Sequence, residues 1–372
     1  MNKKTMQNNK KNNTILAMDG GGTNFVFASI GADFNIENRF NISIKNMRND
    51  LTRILDSIAA SFDRLDKNTY GKPVAISLGF PGPIDAEKGI VGDLDNIPAF
   101  RGGVALGPML EKYFQIPVFL NNDGDLFALG EAINGFLPEI NKKLGENSSR
   151  QYNNLIGVTF GTGFGGGIIR DGVIIRGDNS ASGEINRFRN KLYPKSSVEE
   201  SVSIRGLKRV YAREAKLTSA EISNSYDIYR IAKGEKKGDK DAAIKAFEEL
   251  AIVAGDAIAS AISLFDANVV IGGGIAGAYE LFLAKLVEEI NSHYIQQDGT
   301  DLPRTEVKAY NLEDEKDTAE FLGEDKIEIK IPQSKEKVYY DKTKKVGVGI
   351  TKLGTDKAIF TGAYYTALQK LR

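Results

Sequence analysis

The sequence predicts an α/β protein built from two related halves. Three observations carry this. Apolar runs of strand length alternate with segments of helical periodicity along the first 120 residues. A strand, a Gly/Thr loop and a second strand occur near the start and again near residue 160, a sign of internal duplication. The chain has 372 residues, long enough for two ordinary domains with real cores.

Taken in order, "TILAMD" (14–19) reads as a buried strand, "GGGTN" (20–24) as a loop, and "FVFASIG" (25–31) as a second strand by its alternation. These glycines join strand to strand. A Walker or Rossmann loop runs into a helix instead, and no GKS or GKT follows. "DLTRILDSIAASFDRL" (50–65) has helical spacing, with Leu51, Ile54, Leu55, Ile58 and Phe62 on one face. "PVAISLGF" (73–80) is a strand closed by the turn "PGPID", "LGPMLEKYF" (106–114) a short helix, and "IPVFLNND" (116–123) a strand.

The pattern then recurs. "NNLIGVTF" (153–160) is a strand and "GTGFGGG" (161–167) a loop, and Asp171-Gly172 turns a hairpin within "IIRDGVIIRG" (168–177). Helices follow over 198–214, after the capping box "TSAE" (218–221), and over 241–265 with a core stripe from Phe247 to Phe265. "ANVVIGGGIAGAYELFLAKLVEEI" (267–290) reads as strand, glycine loop and helix, and the one histidine, His293, is expected on that helix. Residues 295–345 are charged and irregular, an insertion or peripheral hairpin, and 357–371 form an amphipathic closing helix. The expected division is a disordered tail (1–13), a smaller α/β domain (14–120 with 356–372) and a larger one (121–355).

Composition narrows the function. With 49 basic and 49 acidic residues the net charge is zero, so neither nucleic acid nor an anionic membrane is expected as a partner. There is no cysteine and one histidine, which excludes disulfides, thiolate metal sites and multi-imidazole zinc. No apolar run is long enough for a bilayer span, and no secretory signal opens the chain, so a cytoplasmic location is expected.

Backbone N–H groups hold phosphate where side chains leave room, and a threonine hydroxyl adds a donor. Each glycine loop alone reads as a tight turn. Together, Gly21, Gly22, Thr23 and Asn24 in one half and Gly161, Thr162, Gly163 and Gly165 in the other form a candidate polyphosphate pair. Gly273 and Gly274 could admit an adenine or ribose close to the backbone. Asp19, ending the first strand, could reach a magnesium ion directly or through water, since magnesium keeps most of its waters. Asp123 follows an apolar strand and precedes a helix, so it is either a site acid or a helix cap.

The order "DGGGTN" (19–24), "NND" (121–123), "GTGFGGG" (161–167), "GE" (183–184) and "GGG" (272–274) resembles the ROK sugar kinases of the actin-like ATPase superfamily. "NIPAF" (96–100), "VEESVSIRGL" (198–207) and "KAIFTGAYYTAL" (357–368) resemble further family segments. The resemblance implies two duplicated actin-like (ribonuclease H-like) domains with mixed sheets flanked by helices. It implies an ATP- and Mg²⁺-dependent, cytoplasmic, homodimeric hexose kinase of glucokinase type acting on the 6-hydroxyl, with the sugar held between the domains. The alternative is a non-catalytic sugar-binding regulator. By the same resemblance Asp123 is the general base, and Asn96, Asn122, Glu184 and Glu199 bind sugar hydroxyls. The sequence departs from the family at Arg187, where a histidine is usual, which leaves open whether Arg187 contacts the sugar. It departs again at "NKLYPKSS" (190–197), where the cysteines of a structural zinc site are missing; packing around Tyr193-Pro194 is expected to hold that loop instead. Only polar residues precede the first strand, so the winged helix-turn-helix of the family's repressors is not expected.

Overall fold

The computed structural model describes residues 13–372 except 70, 95, 147, 149, 219, 220 and 223. The expected tail lies almost wholly outside the described residues, as does the middle of the expected capping box, although Thr218 N–H still donates to Glu221 Oε2 at 2.7 Å. The chain forms two compact units. The first comprises the residues up to Gly135 together with Gly167–Gly183 and Leu353–Arg372; the second comprises Phe136–Gly166 and Glu184–Lys352.

The first unit begins with β1 (Thr14–Gly20), β2 (Asn24–Ile30) and β3 (Ile36–Ser43), paired antiparallel in sequence. Helix α1 (Leu51–Asn68) follows, capped by the Asp50 carboxylate accepting from Arg53 N–H at 3.0 Å, and it buries Ile54, Ile58, Phe62 and Leu65. Then come β4 (Pro73–Phe80), the small ribbon β5 (Ile84–Asp85) and β6 (Ile90–Val91), α2 (Leu106–Phe114), β7 (Val118–Asn122) and α3 (Asp123–Asn134). The sheet order is β3-β2-β1-β4-β7, with β1, β4 and β7 parallel.

The second unit carries α4 (Phe136–Leu144), β8 (Leu155–Phe160) and the start of β9 (Phe164–Arg170); the chain enters the first unit along β9 at Gly167 and continues through β10 (Val173–Ile174). Back in the second unit come α5 (Ile204–Glu214), α6 (Ser225–Ala232), α7 (Lys240–Phe265), β11 (Asn268–Gly272) and α8 (Leu283–Ile290). β12 (His293–Ile295), β13 (Asp301–Pro303), β14 (Lys308–Asn311), α9 (Glu315–Leu322), β15 (Lys326–Lys330), β16 (Lys337–Asp341) and β17 (Lys345–Ile350) complete it. α10 (Thr355–Lys370) belongs to the first unit.

The second sheet runs β10-β9-β8-β11-β17-β14. In both sheets the first three strands lie third-second-first and a parallel pair follows the first, so the repeat read from the glycine loops is a repeat of sheet topology.

Three details differ from the sequence reading. His293 lies on β12, paired with Pro303, because α8 ends at Ile290 and Asn291 turns the chain. The segment 198–214 is not one helix: a short turn at Val198–Glu200 precedes α5, whose N-cap is Ser203 accepting from Gly206 N–H at 3.1 Å. The insertion is ordered as two separate two-stranded ribbons, β12–β13 and β15–β16, around β14 and α9.

Candidate active site

Strands β1 and β7 both run parallel to β4, so their carboxyl ends open on the same edge of the sheet, where open α/β sheets bind ligands. Asp19 and Asn121 both stand opposite Gly79 of β4. Two strand spacings, roughly 10 Å, therefore separate their backbones. Asp123 is the first residue of α3, immediately after β7.

Asp123 is not the cap of that helix. Asn122 is: its Oδ1 accepts from Gly124 N–H at 2.8 Å and Asp125 N–H at 3.3 Å. This leaves Asp123 in the first turn, where the helix dipole favours a carboxylate, with its Oδ1 oriented by Gly124 N–H at 2.9 Å. The helix is itself pinned. A Cβ on Gly130 would run into the Ala358 carbonyl, and one on Gly362 into the Leu126 carbonyl, so α3 and α10 pack backbone to backbone. The position of Asp123 is thus set by close packing rather than by loop geometry.

Asp19 is the strongly perturbed acid of the unit. Loss of hydration, then the charges of Asp123 and Asp356, raise its pKa to about 7, with Arg39 opposing. Arg39 is paired with Asp356. The glycine loop beside Asp19 is tied down by side chains: Arg48 Nη2 donates to Thr23 Oγ1 at 3.1 Å, and a Cβ on Gly22 would lie 3.3 Å from that of Asn96. Arg48 and Asn96 also line a cleft of about 470 Å³ together with Lys45 and Asn49. Asn96 is exposed, and the adjoining Asp95 lies outside the described residues. Behind the acids, Arg176 Nη2 donates to the buried Asn121 Oδ1 at 2.8 Å.

In the second unit the loop 161–165 is braced by Glu199, whose Oε2 accepts from Phe164 N–H at 3.1 Å. Gly273 has φ +87° and packs on the Phe160 backbone, so its lack of a side chain has a structural cause, whereas Gly274 faces open space. Glu184 is half-buried at the start of the turn Ile185–Arg187, and Arg187 is exposed.

The loop 190–197 is held by hydrogen bonds rather than by packing alone. Asn190 Oδ1 accepts from Leu192 and Tyr193 N–H. The buried Glu249 of α7 accepts from Tyr193 Oη at 2.9 Å, Ser201 Oγ at 2.8 Å and Arg213 Nη2 at 3.0 Å. Among the described residues no group of three or more histidines, cysteines or carboxylates could hold a metal ion.

Asn121, Arg39, Arg48, Arg176, Asp356 and Glu249 were not singled out from the sequence. Asn121 is the first residue of "NND" (121–123), so that motif was a usable signal for it. The others depend on contacts between distant residues.

The ROK family model matches residues 15–319. The chain belongs to the ROK family. Among solved structures, the glucokinase of Parabacteroides distasonis ATCC 8503 aligns at TM-score 0.85 with 45% identity, covering 96% of this chain and 98% of that one. A ROK family glucokinase from Streptomyces griseus aligns at TM-score 0.61 and 20% identity over 95% and 98% of the two chains, a likeness of fold alone. An N-acetyl-D-glucosamine kinase from Photobacterium profundum is 32% identical over 171 residues, 46% of this chain and 51% of that protein. The chain thus spans about half the length of that curated relative. The duplicated actin-like architecture is that of the family, and among the described residues no helix is long and apolar enough to cross a membrane.

Proposed function

We propose that this protein is an ATP-dependent sugar kinase that phosphorylates the 6-hydroxyl of a hexose. The observation that carries the reading is Asp123, held in the first turn of a pinned helix on the same sheet edge as the perturbed Asp19. Asp123 takes the proton of the attacking hydroxyl as that oxygen bonds to the γ-phosphorus and the bond to the bridging oxygen breaks, releasing ADP. Asn122 spends its carbonyl on the helix cap, so its amide N–H₂ is the group that donates to a sugar hydroxyl. Asn96 acts from beside Gly22; Glu184 and Glu199 are the further proposed sugar ligands, Glu199 bracing its loop as well. Gly21, Gly22, Thr23 and Asn24, with Gly161, Thr162, Gly163, Gly165 and Gly274, are the proposed nucleotide-binding backbone.

The residues present suit a magnesium ion. Asp19 is poised to ionise near neutral pH in surroundings richer in acids than in cations, and magnesium needs few protein ligands when phosphates and water complete its shell. Bound there, the ion would neutralise charge on the transferring phosphates.

Glucose is the proposed first substrate, because the relative named glucokinase is 45% identical over nearly its whole length, while the relatives named N-acetyl-D-glucosamine kinase, at 32% and 26% identity, make N-acetylglucosamine the second candidate. The Streptomyces griseus structure, in complex with glucose and AMPPNP, supports the pairing of a hexose with an adenine nucleotide on this fold. An ADP-release assay across glucose, mannose, fructose and N-acetylglucosamine tests the reading. The expected result is turnover that requires sugar, with glucose preferred. Binding of sugar with no turnover would favour a regulator, and turnover without sugar an ATPase acting on another partner.

A further inference from the structure

None of the residues proposed above for the nucleotide or the sugar is a cation. Phosphoryl transfer spreads negative charge over the oxygens in flight, and a protein lowers its barrier chiefly by position and by neutralising that charge. A guanidinium stands beside the first glycine loop. Arg48 lies in the segment between β3 and α1, and that segment grips the loop at Thr23 twice: Ile44 N–H donates to the Thr23 carbonyl at 3.0 Å, and Arg48 Nη2 to Thr23 Oγ1 at 3.1 Å. The Arg48 carbonyl in turn accepts from Ala99 N–H at 3.0 Å, inside the "NIPAF" segment. Arg48 therefore joins the proposed phosphate loop to the proposed sugar loop.

Its side chain is under-used. A guanidinium has five N–H donors. The bond to Thr23 takes one, Nε is buried without a hydrogen-bond partner, and among the described residues no carboxylate forms an ion pair with Arg48. A buried donor left unpaired is costly, so such a group marks a place where a ligand or water completes the set. The Thr23 hydroxyl accepts from Arg48, which leaves its own proton to be donated elsewhere. The cleft of about 470 Å³ beside them is lined by Lys45, Asn46, Asn49 and Asn96 as well as Arg48. Asp50, the acid among its described lining residues, is committed to the cap of α1. Cations and amides in one cleft suit a phosphoryl group, and the planar fork of an arginine can hold a hydroxyl and a phosphate oxygen together.

We propose that Arg48 is a further catalytic residue of the kinase reaction, its unspent N–H groups meeting the oxygens of the γ-phosphoryl while Nη2 keeps the Thr23 hydroxyl turned to donate to them. This role rests on the kinase reading above. Arg48 makes and breaks no covalent bond; it offsets charge as the sugar oxygen bonds to phosphorus and the bond to ADP breaks.

The test compares Arg48→Met and Arg48→Lys with wild type, by calorimetric titration of AMPPNP and of ADP with Mg²⁺ and by the ADP-release assay with glucose. Arg48→Met should bind AMPPNP at least about tenfold more weakly, because a charge-assisted bond to the γ-phosphate is gone, and should bind ADP almost as wild type does. Its kcat should fall by on the order of 10² with the glucose KM little changed, a split that mere loosening of the loop would not give. Arg48→Lys keeps the charge but not the fork, so it should regain part of the AMPPNP affinity and stay well below wild type in kcat. Equal losses of AMPPNP and ADP affinity would make Arg48 a brace of the loop and overturn the proposal, as would a kcat within a few-fold of wild type in Arg48→Met. Should Arg48→Met fail to fold, unchanged AMPPNP binding and kcat in Arg48→Lys would overturn it instead. A wild type that turns over no sugar would break the kinase reading, and the comparison of AMPPNP with ADP would still decide whether Arg48 meets a γ-phosphate; a wild type that binds neither nucleotide would overturn both.

Discussion

Two carboxylate clusters, one in each unit, are built on opposite plans. In the first unit the charges of Asp123 and Asp356 disfavour the ionisation of Asp19, and Arg39 alone counters them there. In the second unit Glu249 is more deeply buried yet fully served: two hydroxyls and a guanidinium donate to its oxygens, and the Arg209 guanidinium lies 3.6 Å away. Burial is therefore not what distinguishes them. The satisfied acid fixes a loop, whereas the under-neutralised group leaves negative charge that a cation or a transferred proton can answer. Buried groups with full sets of partners read as scaffold, and strained ionisation at a sheet edge reads as chemistry.

The largest expected effect tests the chemical side of this contrast. Asp123→Asn keeps the hydrogen bond to Gly124 N–H and the packing of α3, so the melting temperature should hardly move. Loss of a general base should lower kcat by on the order of 10²–10⁴ with little change in sugar KM. A kcat within a few-fold of wild type in the ADP-release assay would return Asp123 to a purely structural first-turn role.

Glu249 should behave the other way. Glu249→Ala strands the Tyr193 and Ser201 hydroxyls and leaves Arg213, which is half-exposed, without its buried partner. The expected loss is about 1–3 kcal/mol of stability, measured by urea unfolding, with kcat lowered far less than in Asp123→Asn. Glu249→Gln, which keeps an acceptor oxygen, should lose less than the alanine variant. A collapse of kcat at unchanged stability would erase the distinction between the two clusters.

The two clusters also differed in how far the sequence announced them. Asp19, Asp123 and the three glycine loops were legible because each sits beside a local signal: an apolar strand that ends, a glycine run, a helix that begins. The repeat was legible in the two strand–loop–strand segments, whereas the strand order of the sheets was not. Tyr193 was legible as the anchor of the loop 190–197, but its partner was not. Glu249 lies 56 residues further along the chain, inside a helix whose polar positions look solvated when only spacing is read. Arg39 and Asp356, separated by 317 residues, were invisible for the same reason. Local pattern reveals where a backbone turns; it does not reveal which distant side chain will arrive there.

The titration of Asp19 sharpens the contrast further. Its folded-state pKa of about 7 lies above the ordinary value of 3.8, so between those limits the folded protein holds a proton that the unfolded chain releases. The stability contributed by this group is present below about pH 4 and is lost as pH rises through about 7. Asp19→Asn, which cannot titrate, should show a flatter dependence of unfolding free energy on pH across that window. Identical slopes for wild type and variant would mean that Asp19 ionises normally and that the first cluster is no more strained than the second.

The smallest effect concerns Arg39. It opposes the rise at Asp19 while sharing an ion pair with Asp356 in which both side chains are about half-exposed, 49 and 54%. Exposed pairs of this kind contribute under about 1 kcal/mol, so Arg39→Ala should barely alter stability at a single pH. It should nevertheless move the Asp19 titration upward, because the charges of Asp123 and Asp356 would then act with less opposition. The window over which stability falls would shift to higher pH in Arg39→Ala and would vanish in the double variant with Asp19→Asn. If Arg39→Ala instead left the window in place, loss of hydration alone would set the ionisation of Asp19, and the first cluster would differ from the second in its solvation rather than in its balance of charge.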